Sequence, residues 1–347
     1  MKPTSAPEKV TIYDIAKASG FSVSTVSLVL HNDPRVKEST RLKIQKCMEQ
    51  FNYTPSYLAS SLASQKTYNI GLVIPDLRNP IFSEMINGIE SLLRNFDYHI
   101  LIGVTEQDLK KEKYYLNFAY SQKVDGLIFF PSFLDEVRDE LIQLATHHFP
   151  LVICGVPIEA DTNISYVSSN ITEGAYLATE ALIKRGHRHI GFVSGEKKPL
   201  QINERICGYK NALNIYNLPF DEELMLFSNP DLPSVTENCM RFLNAHPEVT
   251  ALFCSYDYIA PAVMKAVLQL GLRIPEDISI IGYDDIELNR FMPVEMSSVY
   301  TNSFKIGEIA ARVVLNLLQN PNSEPQRIVL PPELIERDSS AIKISKT

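Results

Sequence analysis

The chain has 347 residues, 45% of them hydrophobic, a mean hydropathy near zero and a net charge of −8. This describes an ordinary globular protein long enough for two or three compact units. No apolar run reaches the about 18 residues of a membrane span, and the opening "MKPTSAPEKVTIYDIAK" has no apolar stretch of signal-peptide length, so a cytoplasmic protein without a membrane partner is expected. Five cysteines, Cys47, Cys154, Cys207, Cys239 and Cys254, form no CxxC pair and read as reduced core residues, so neither a disulfide frame nor a metal site is expected.

The charge is unevenly spread. Residues 1–66 hold nine Lys/Arg against five Asp/Glu, a net of +4, which leaves −12 on the other 281 residues. A small basic head on an acidic body suits a protein of which only the head approaches a polyanion.

The head opens with "VTIYDIAKASGFSVSTVSLVL". Ile12, Ile15 and Ala16 stand at i, i+3, i+4, and Val26, Val29 and Leu30 repeat the spacing one helix later. Between the two helices Gly20 turns the chain and Ser22 caps the helix that starts at Val23. Ile44, Met48 and Phe51 mark a third helix, completing a helix-turn-helix domain. The second helix presents Ser22, Val23, Ser24, Thr25, Ser27 and Leu28 at or near its amino end. Hydroxyls there can bind phosphates, and short side chains let the helix lie close to base edges and thymine methyls.

"FNYTPSYLASSLASQKT" follows, with Pro55 placed to start a helix that has too few apolar residues to fold alone. Its small residues around Leu62 would let two such helices pair and push a leucine wedge into a minor-groove step.

From Tyr68 on, short apolar runs ("NIGLVIP", "YHILIGV", "VDGLIFFP", "PLVICGV", "HIGFVSG", "ALFCSY", "ISIIGYDD") alternate with amphipathic helical segments. The pattern predicts parallel strands covered on both faces, and the length fits two sheets. Ligands in such folds sit beyond the carboxyl ends of the strands. Those ends offer Asp76, Gly195 to Lys198, Tyr256 and Asp257, and Asp284 and Asp285. With Arg205 and the aromatic Phe82 they would equip a cleft for hydroxyl-rich small molecules. The sequence lacks GxGxxG after the first strand, GxxxxGK[ST], HExxH and GxSxG, so no enzyme and no cofactor is expected. His147, His148, His187 and His189 are read as surface or capping residues outside the cleft.

Along nearly its whole length the chain resembles the LacI/GalR family of bacterial transcription regulators. The matching stretches are "TIYDIAKASGFSVSTVSLVL", "NYTPSYLASSLAS", "IGLVIPDLRNPIFSEMINGIE", "VDGLIFF", "GHRHIGFVSG", "RICGY", "GLRIPEDISIIGYDD" and "LPPELIERDSS". The resemblance implies an α/β protein with a three-helix helix-turn-helix head (1–54), a hinge helix (55–66) and a two-lobed core like a periplasmic binding protein (67–347). The core would hold two doubly wound parallel sheets. One lobe would span about 67–165 with 296–324, the other 166–295 with 325–347. It implies a homodimer on a near-palindromic operator in double-stranded DNA, most simply a repressor, controlled by a small-molecule effector such as a sugar. By position, Ser22, Thr25 and His31 would contact phosphates, Val23, Ser24 and Leu28 would face bases, and Leu62 would be the hinge wedge. Tyr13, Ser27, Tyr53 and Ala59 complete the expected DNA-contacting set. Arg205 and Asp284 would contact the effector, with Asp76, Phe82, Tyr256 and Asp257 around them.

Two departures are informative. Leu28 stands where relatives often carry a polar or basic residue, which suggests readout through thymine methyls and shape. The loop "ICGVP" has Gly155 and Val156 where relatives often place an acid, so the resemblance does not carry over the sugar contact expected from that loop, nor with it a sugar as the effector. The same two-lobed core would serve a transport solute-binding protein, but that reading calls for a leader and no basic head.

Overall fold

The computed structural model describes residues 10–30, 33–53, 66–121, 123–158, 162–195, 200–229 and 231–340. They belong to two compact units, Met1–Thr67 and Tyr68–Thr347. The hinge segment that carries Ala59 and Leu62 lies outside the described residues, as does His31.

The first unit packs three helices, α1 (Ile12–Ser19), α2 (Val23–Leu30) and α3 (Glu38–Gln50), around Ile15, Ala16, Val26, Val29 and Ile44. Helix α1 starts at Thr11, whose backbone N–H and hydroxyl both donate to Asp14 Oδ2 at 2.8 and 2.7 Å. It ends at Gly20, whose φ of +75° lets the chain reverse without a Cβ clash.

The second unit alternates strands and helices: β1 (Asn69–Ile74), α4 (Ile81–Leu93), β2 (His99–Val104), α5 (Leu109–Tyr120), β3 (Gly126–Phe129), α6 (Leu134–Thr146), β4 (Leu151–Cys154), β5 (Ser165–Ser169). It continues with α7 (Ile171–Lys184), β6 (Ile190–Ser194), α8 (Leu200–Ile215), β7 (Met225–Phe227), α9 (Leu232–Ala245), β8 (Ala251–Cys254), α10 (Ala260–Gln269) and β9 (Ser279–Asp284). It closes with β10 (Ser297–Tyr300), α11 (Ser303–Gln319), β11 (Arg327–Leu330) and β12 (Glu333–Ile335). One sheet runs β11-β5-β4-β3-β1-β2 and is wholly parallel. The other runs β12-β10-β9-β8-β6-β7, parallel except for the edge strand β12.

Both faces of each sheet are covered, which is why the strands read as continuous apolar runs. In the first sheet Ile70, Leu72 and Ile74 point toward α4 and α11, while Val73, Leu127 and Phe129 point toward α5 and α6. In the second, Val193, Leu252 and Ile280 pack with α9 and α10, and Phe192, Phe253 and Tyr283 with α7 and α8.

The lobe boundaries expected from the sequence need correction. Strand β5 pairs with β4 and β11, so residues 166–169 belong to the first lobe, and so does β11. Strand β10 pairs with β9 and belongs to the second. Each expected boundary fell at the start of a strand, whereas the chain completes the strand in its own sheet and crosses only at its carboxyl end. The lobes are therefore 68–169 with 303–330, and 171–300 with 333–340. Cys207 is also corrected: it is exposed, while the other four cysteines are buried.

Helices α4 and α11 meet backbone to backbone. A Cβ on Gly88 would lie 2.0 Å from the Phe304 carbonyl oxygen, and one on Gly307 would lie 2.2 Å from that of Met85. Gly88→Ala should destabilise the core by about 1–3 kcal/mol in urea unfolding, because rigid backbone cannot yield as a side chain would. An unchanged midpoint would mean the two helices separate at little cost.

Candidate DNA-reading helix and effector cleft

Helix α2 begins with a knot of hydroxyls. Ser22 Oγ accepts from the Thr25 N–H at 3.2 Å and lies 2.8 Å from Thr25 Oγ1 and 3.1 Å from Ser24 Oγ. This arrangement caps one N–H of the first turn and leaves Ser22 and Ser24 exposed at the positive end of the helix dipole. Ser24, Ser27 and Leu28 stand at i, i+3 and i+4 on one face, and none of them joins the core of the head. Tyr13, 71% exposed, is an open aromatic on α1. Two expected contacts are turned inward. Val23 lies three residues before Val26, on the same stripe, and is half-buried against the core; Tyr53 packs there too.

In the second unit a cavity of about 170 Å³ opens at the carboxyl ends of both sheets. It is lined by five of the six residues expected there: Asp76, Phe82, Arg205, Tyr256 and Asp284. Arg205, on α8, has its Cζ over the ring of Tyr283, 4.2 Å from the ring centre, and places Nη2 3.5 Å from Asp284 Oδ1. Both residues are buried. Asp284 ends β9 at φ +110°, a backbone conformation that residues with a side chain rarely adopt. From the opposite lobe Asn79 Nδ2 donates to Asp284 Oδ2 over a long 3.5 Å. Burial pushes the Asp284 carboxyl up to about 7 against the opposing pull of Arg205. Asp76 is already engaged, accepting from the Arg78 backbone N–H at 2.8 Å and from its guanidinium at 2.7 Å.

Asp257 is the sixth, and it does not line the cleft. Its carboxylate sits wholly buried beneath the floor, accepting from Ser298 Oγ at 2.8 Å, Asn289 Nδ2 at 2.7 Å and the Ile286 N–H at 3.1 Å. It ties together the turn after β8, the loop after β9 and the start of β10. A Cβ on Gly282 would collide with it at 1.9 Å. Burial and the nearby Asp284 charge push it up to about 8.

Asn79, Phe130, Ser169, Gln201, Tyr283 and Thr301 also line the cavity and were not singled out in the sequence. Ser169 ends β5 and Thr301 follows β10; these serine-rich strands escaped a search for apolar runs, although the strand-end rule covers them. Gly195 is described and buried, whereas 196–199 are outside the described residues. None of the four histidines lines the cavity, but His187 is buried rather than superficial, with Nδ1 2.9 Å from Thr250 Oγ1, and desolvation pushes it down to about 4. Among the described residues no cluster of His, Cys, Asp and Glu could hold a metal ion, and no helix is long and apolar enough to cross a membrane.

The environments of the two aspartates make separate predictions. Asp257→Ala orphans three buried donors and should cost at least about 2 kcal/mol in chemical unfolding, with the folded fraction keeping an intact cleft. Asp284 has a folded pKa near 7, above the usual unfolded value near 3.9. Its favourable contribution is thus complete below about pH 4 and lost as pH rises through about 7. Measured against Asp284→Asn, the wild type should lose stability over that window, by on the order of 1.4 kcal/mol per pKa unit, and hold a constant difference outside it. A flat difference across the whole range would show an unperturbed carboxyl.

Sequence comparison agrees with this arrangement. Residues 11–56 match the lacI family of bacterial regulatory proteins, and residues 179–340 match a periplasmic binding protein-like domain. The HTH-type transcriptional repressor PurR of Aliivibrio salmonicida is 34% identical over 329 residues, covering 95% of this chain and 98% of that protein. The ribose operon repressor of Haemophilus influenzae is likewise 34% identical, with the same coverage of both chains. A lac repressor dimer, solved bound to operator and the anti-inducer ONPF, shares the fold with a TM-score of 0.85 at 23% identity, over 96% of this chain and 99% of that one. A basic three-helix head, a two-lobed core and relatives matched over nearly their full length lead to one conclusion: the chain belongs to the lacI family of bacterial regulatory proteins, DNA-binding transcription regulators rather than enzymes.

Proposed function

We propose that this protein is a cytoplasmic, dimeric repressor whose hold on a near-palindromic operator is set by a small metabolite bound between the core lobes. The observation that carries the proposal is the buried Arg205–Asp284 pair, held at 3.5 Å where the two lobes face each other. A charge pair taken out of water at the mouth of two sheets is costly to keep unless a ligand uses it. Closing the lobes around a ligand would shift them relative to each other, and a coupling of about 1–3 kcal/mol changes operator affinity about 5–150-fold. Dimer formation is supported by the unpaired edge strand β2, where Leu101 and Ile102 are 43% and 46% exposed. On the DNA side, Ser22, Ser24, Thr25, Ser27 and Leu28 are the contacts we assign to α2, with Tyr13 beside them. His31, Ala59 and Leu62 keep the roles in phosphate contact and hinge that the sequence suggests.

Selection of bound fragments from a random duplex library should enrich a motif with twofold symmetry. Enrichment of an asymmetric single site would remove the dimer, and no enrichment with or without a cell metabolite extract would remove the operator reading. Leu62→Lys should abolish specific binding of the enriched site while leaving core stability unchanged. Arg205→Ala should keep operator affinity and abolish its response to the extract; a retained response would take Arg205 out of the effector site.

A further inference from the structure

Across the cleft a side-chain amide of the second lobe reaches the backbone of the first. Gln201 stands in the first turn of α8, one turn before Arg205 and on the same face, and both line the cavity. Its Nε2 donates at 3.3 Å to the Pro131 carbonyl, in the loop after β3. The other end of that same peptide unit is also held: the Ser132 N–H donates to Glu112 Oε1, on α5, at 2.6 Å. Glu112 is 0% exposed, and Pro131 and Ser132 are buried with it. The Pro131–Ser132 peptide is thus gripped at its N–H by a carboxyl of its own lobe and at its C=O by an amide of the opposite lobe. An acceptor on the N–H polarises the peptide and improves its carbonyl as an acceptor, so the two hydrogen bonds strengthen each other. A carbonyl buried in this way has to keep its donor or admit water. The path of the Gln201 side chain is left open by Gly155, whose φ of +85° favours glycine. A Cβ there would stand 3.4 Å from Phe130 and 3.6 Å from Gln201 Nε2, so a longer side chain would contend with Gln201 for the same space. The acid that relatives often carry in this loop would therefore stand where this chain sends its amide. The other crossing, from Asn79 Nδ2 to Asp284 Oδ2, is longer, at 3.5 Å.

We infer that Gln201 is a positioning residue that latches the two lobes: through the clamped Pro131–Ser132 peptide it ties α8 to the first lobe and so sets where Arg205 stands in the cleft. Opening the lobes breaks this bond and strips a buried carbonyl of its donor. Closure therefore carries the worth of that hydrogen bond before any ligand enters, and the balance an effector has to shift is set in part by Gln201. That last step rests on the cleft being the effector site; the latch itself does not.

Amide hydrogen exchange on the full chain reads the latch without a ligand. In Gln201→Ala, and equally in Gln201→Glu, whose ionised carboxylate cannot donate, exchange should quicken in residues 201–206 and also at Ser132 and Phe133 of the opposite lobe. The expected factor is about 2–10, the worth of one hydrogen bond. Strands β4 and β8 should keep their rates, which separates lobe opening from a general loss of stability. Glu112→Ala should act at the same two places, while Glu112→Gln, which keeps an acceptor for the Ser132 N–H, should leave the rates as in the wild type. Faster exchange confined to α8 would reduce Gln201 to a local contact of its own helix and overturn the latch, as would unchanged rates in both segments. Operator binding measured with a cell metabolite extract then tests the regulatory step: the Gln201 variants should shift the amount of extract needed for half-response by at least about twofold. Faster exchange on both sides with an unchanged response would keep the latch and remove the cleft as the effector site.

Discussion

Three passages of chain join the two lobes of the core, at 169–171, 300–303 and 330–333, and the rest of the core is arranged around them. Each passage leaves one sheet at the carboxyl end of a strand and enters the other at a helix or an edge strand. Two of them supply lining residues, Ser169, Ile171 and Thr301, so the cleft is built on the connection itself. The Asn170 N–H donates to the Leu330 carbonyl at 3.0 Å, which holds two of the passages side by side. Three parallel connections resist twisting apart more than a single linker would, yet they bend together. That geometry restricts the lobes to a narrow family of relative motions, as a hinge requires.

Around that hinge the electrostatics are concentrated. Arg205 has its charge spread over Tyr283 on one side and meets Asp284 on the other, while Asp257 lies beneath with hydrogen bonds from three directions. Asp285, next in the chain, is held by Arg337 at 2.6 Å. Three acids at the carboxyl ends of two neighbouring strands thus have three different fates. Asp284 faces the cleft, Asp285 anchors the C-terminal segment, and Asp257 braces the loops that carry both. The division follows from burial and available partners, since the side chains are chemically alike.

Much of this was legible in the sequence because it follows from periodicity. The alternation of apolar runs with amphipathic segments gave the two sheets, and the i, i+3, i+4 spacing in Ile12–Ala16 and Val26–Leu30 gave the head. The strand-end rule found Asp76, Tyr256 and Asp284. It misplaced Asp257 because position after a strand does not tell which side of the floor a carboxylate takes; that is decided by Ser298 and Asn289, distant in sequence. It passed over Ser169 and Thr301 because β5 and β10 are rich in serine and do not look like buried strands. Some of their hydroxyls are satisfied by contacts that only the fold brings together, such as Ser297 Oγ with the Arg337 N–H at 2.8 Å. The lobe boundaries were blurred for a related reason: a strand's sheet is set by its hydrogen-bonding neighbours, which no local pattern names.

The discontinuity of the first lobe also matters while the protein is being made. Its sheet and the face of α4 that bears Gly88 are synthesised early, but α11 and β11, which cover and extend them, emerge only after residues 171–300 of the second lobe have been translated. The head, continuous in sequence, can close its small core as soon as α3 leaves the ribosome. The second lobe lacks only its edge strand β12 by the time α11 appears. Between those events the first lobe exists as an open sheet with an uncovered apolar face, the kind of intermediate that collects chaperones or aggregates. Nascent-chain length, more than final stability, therefore sets the period in which this regulator is most vulnerable.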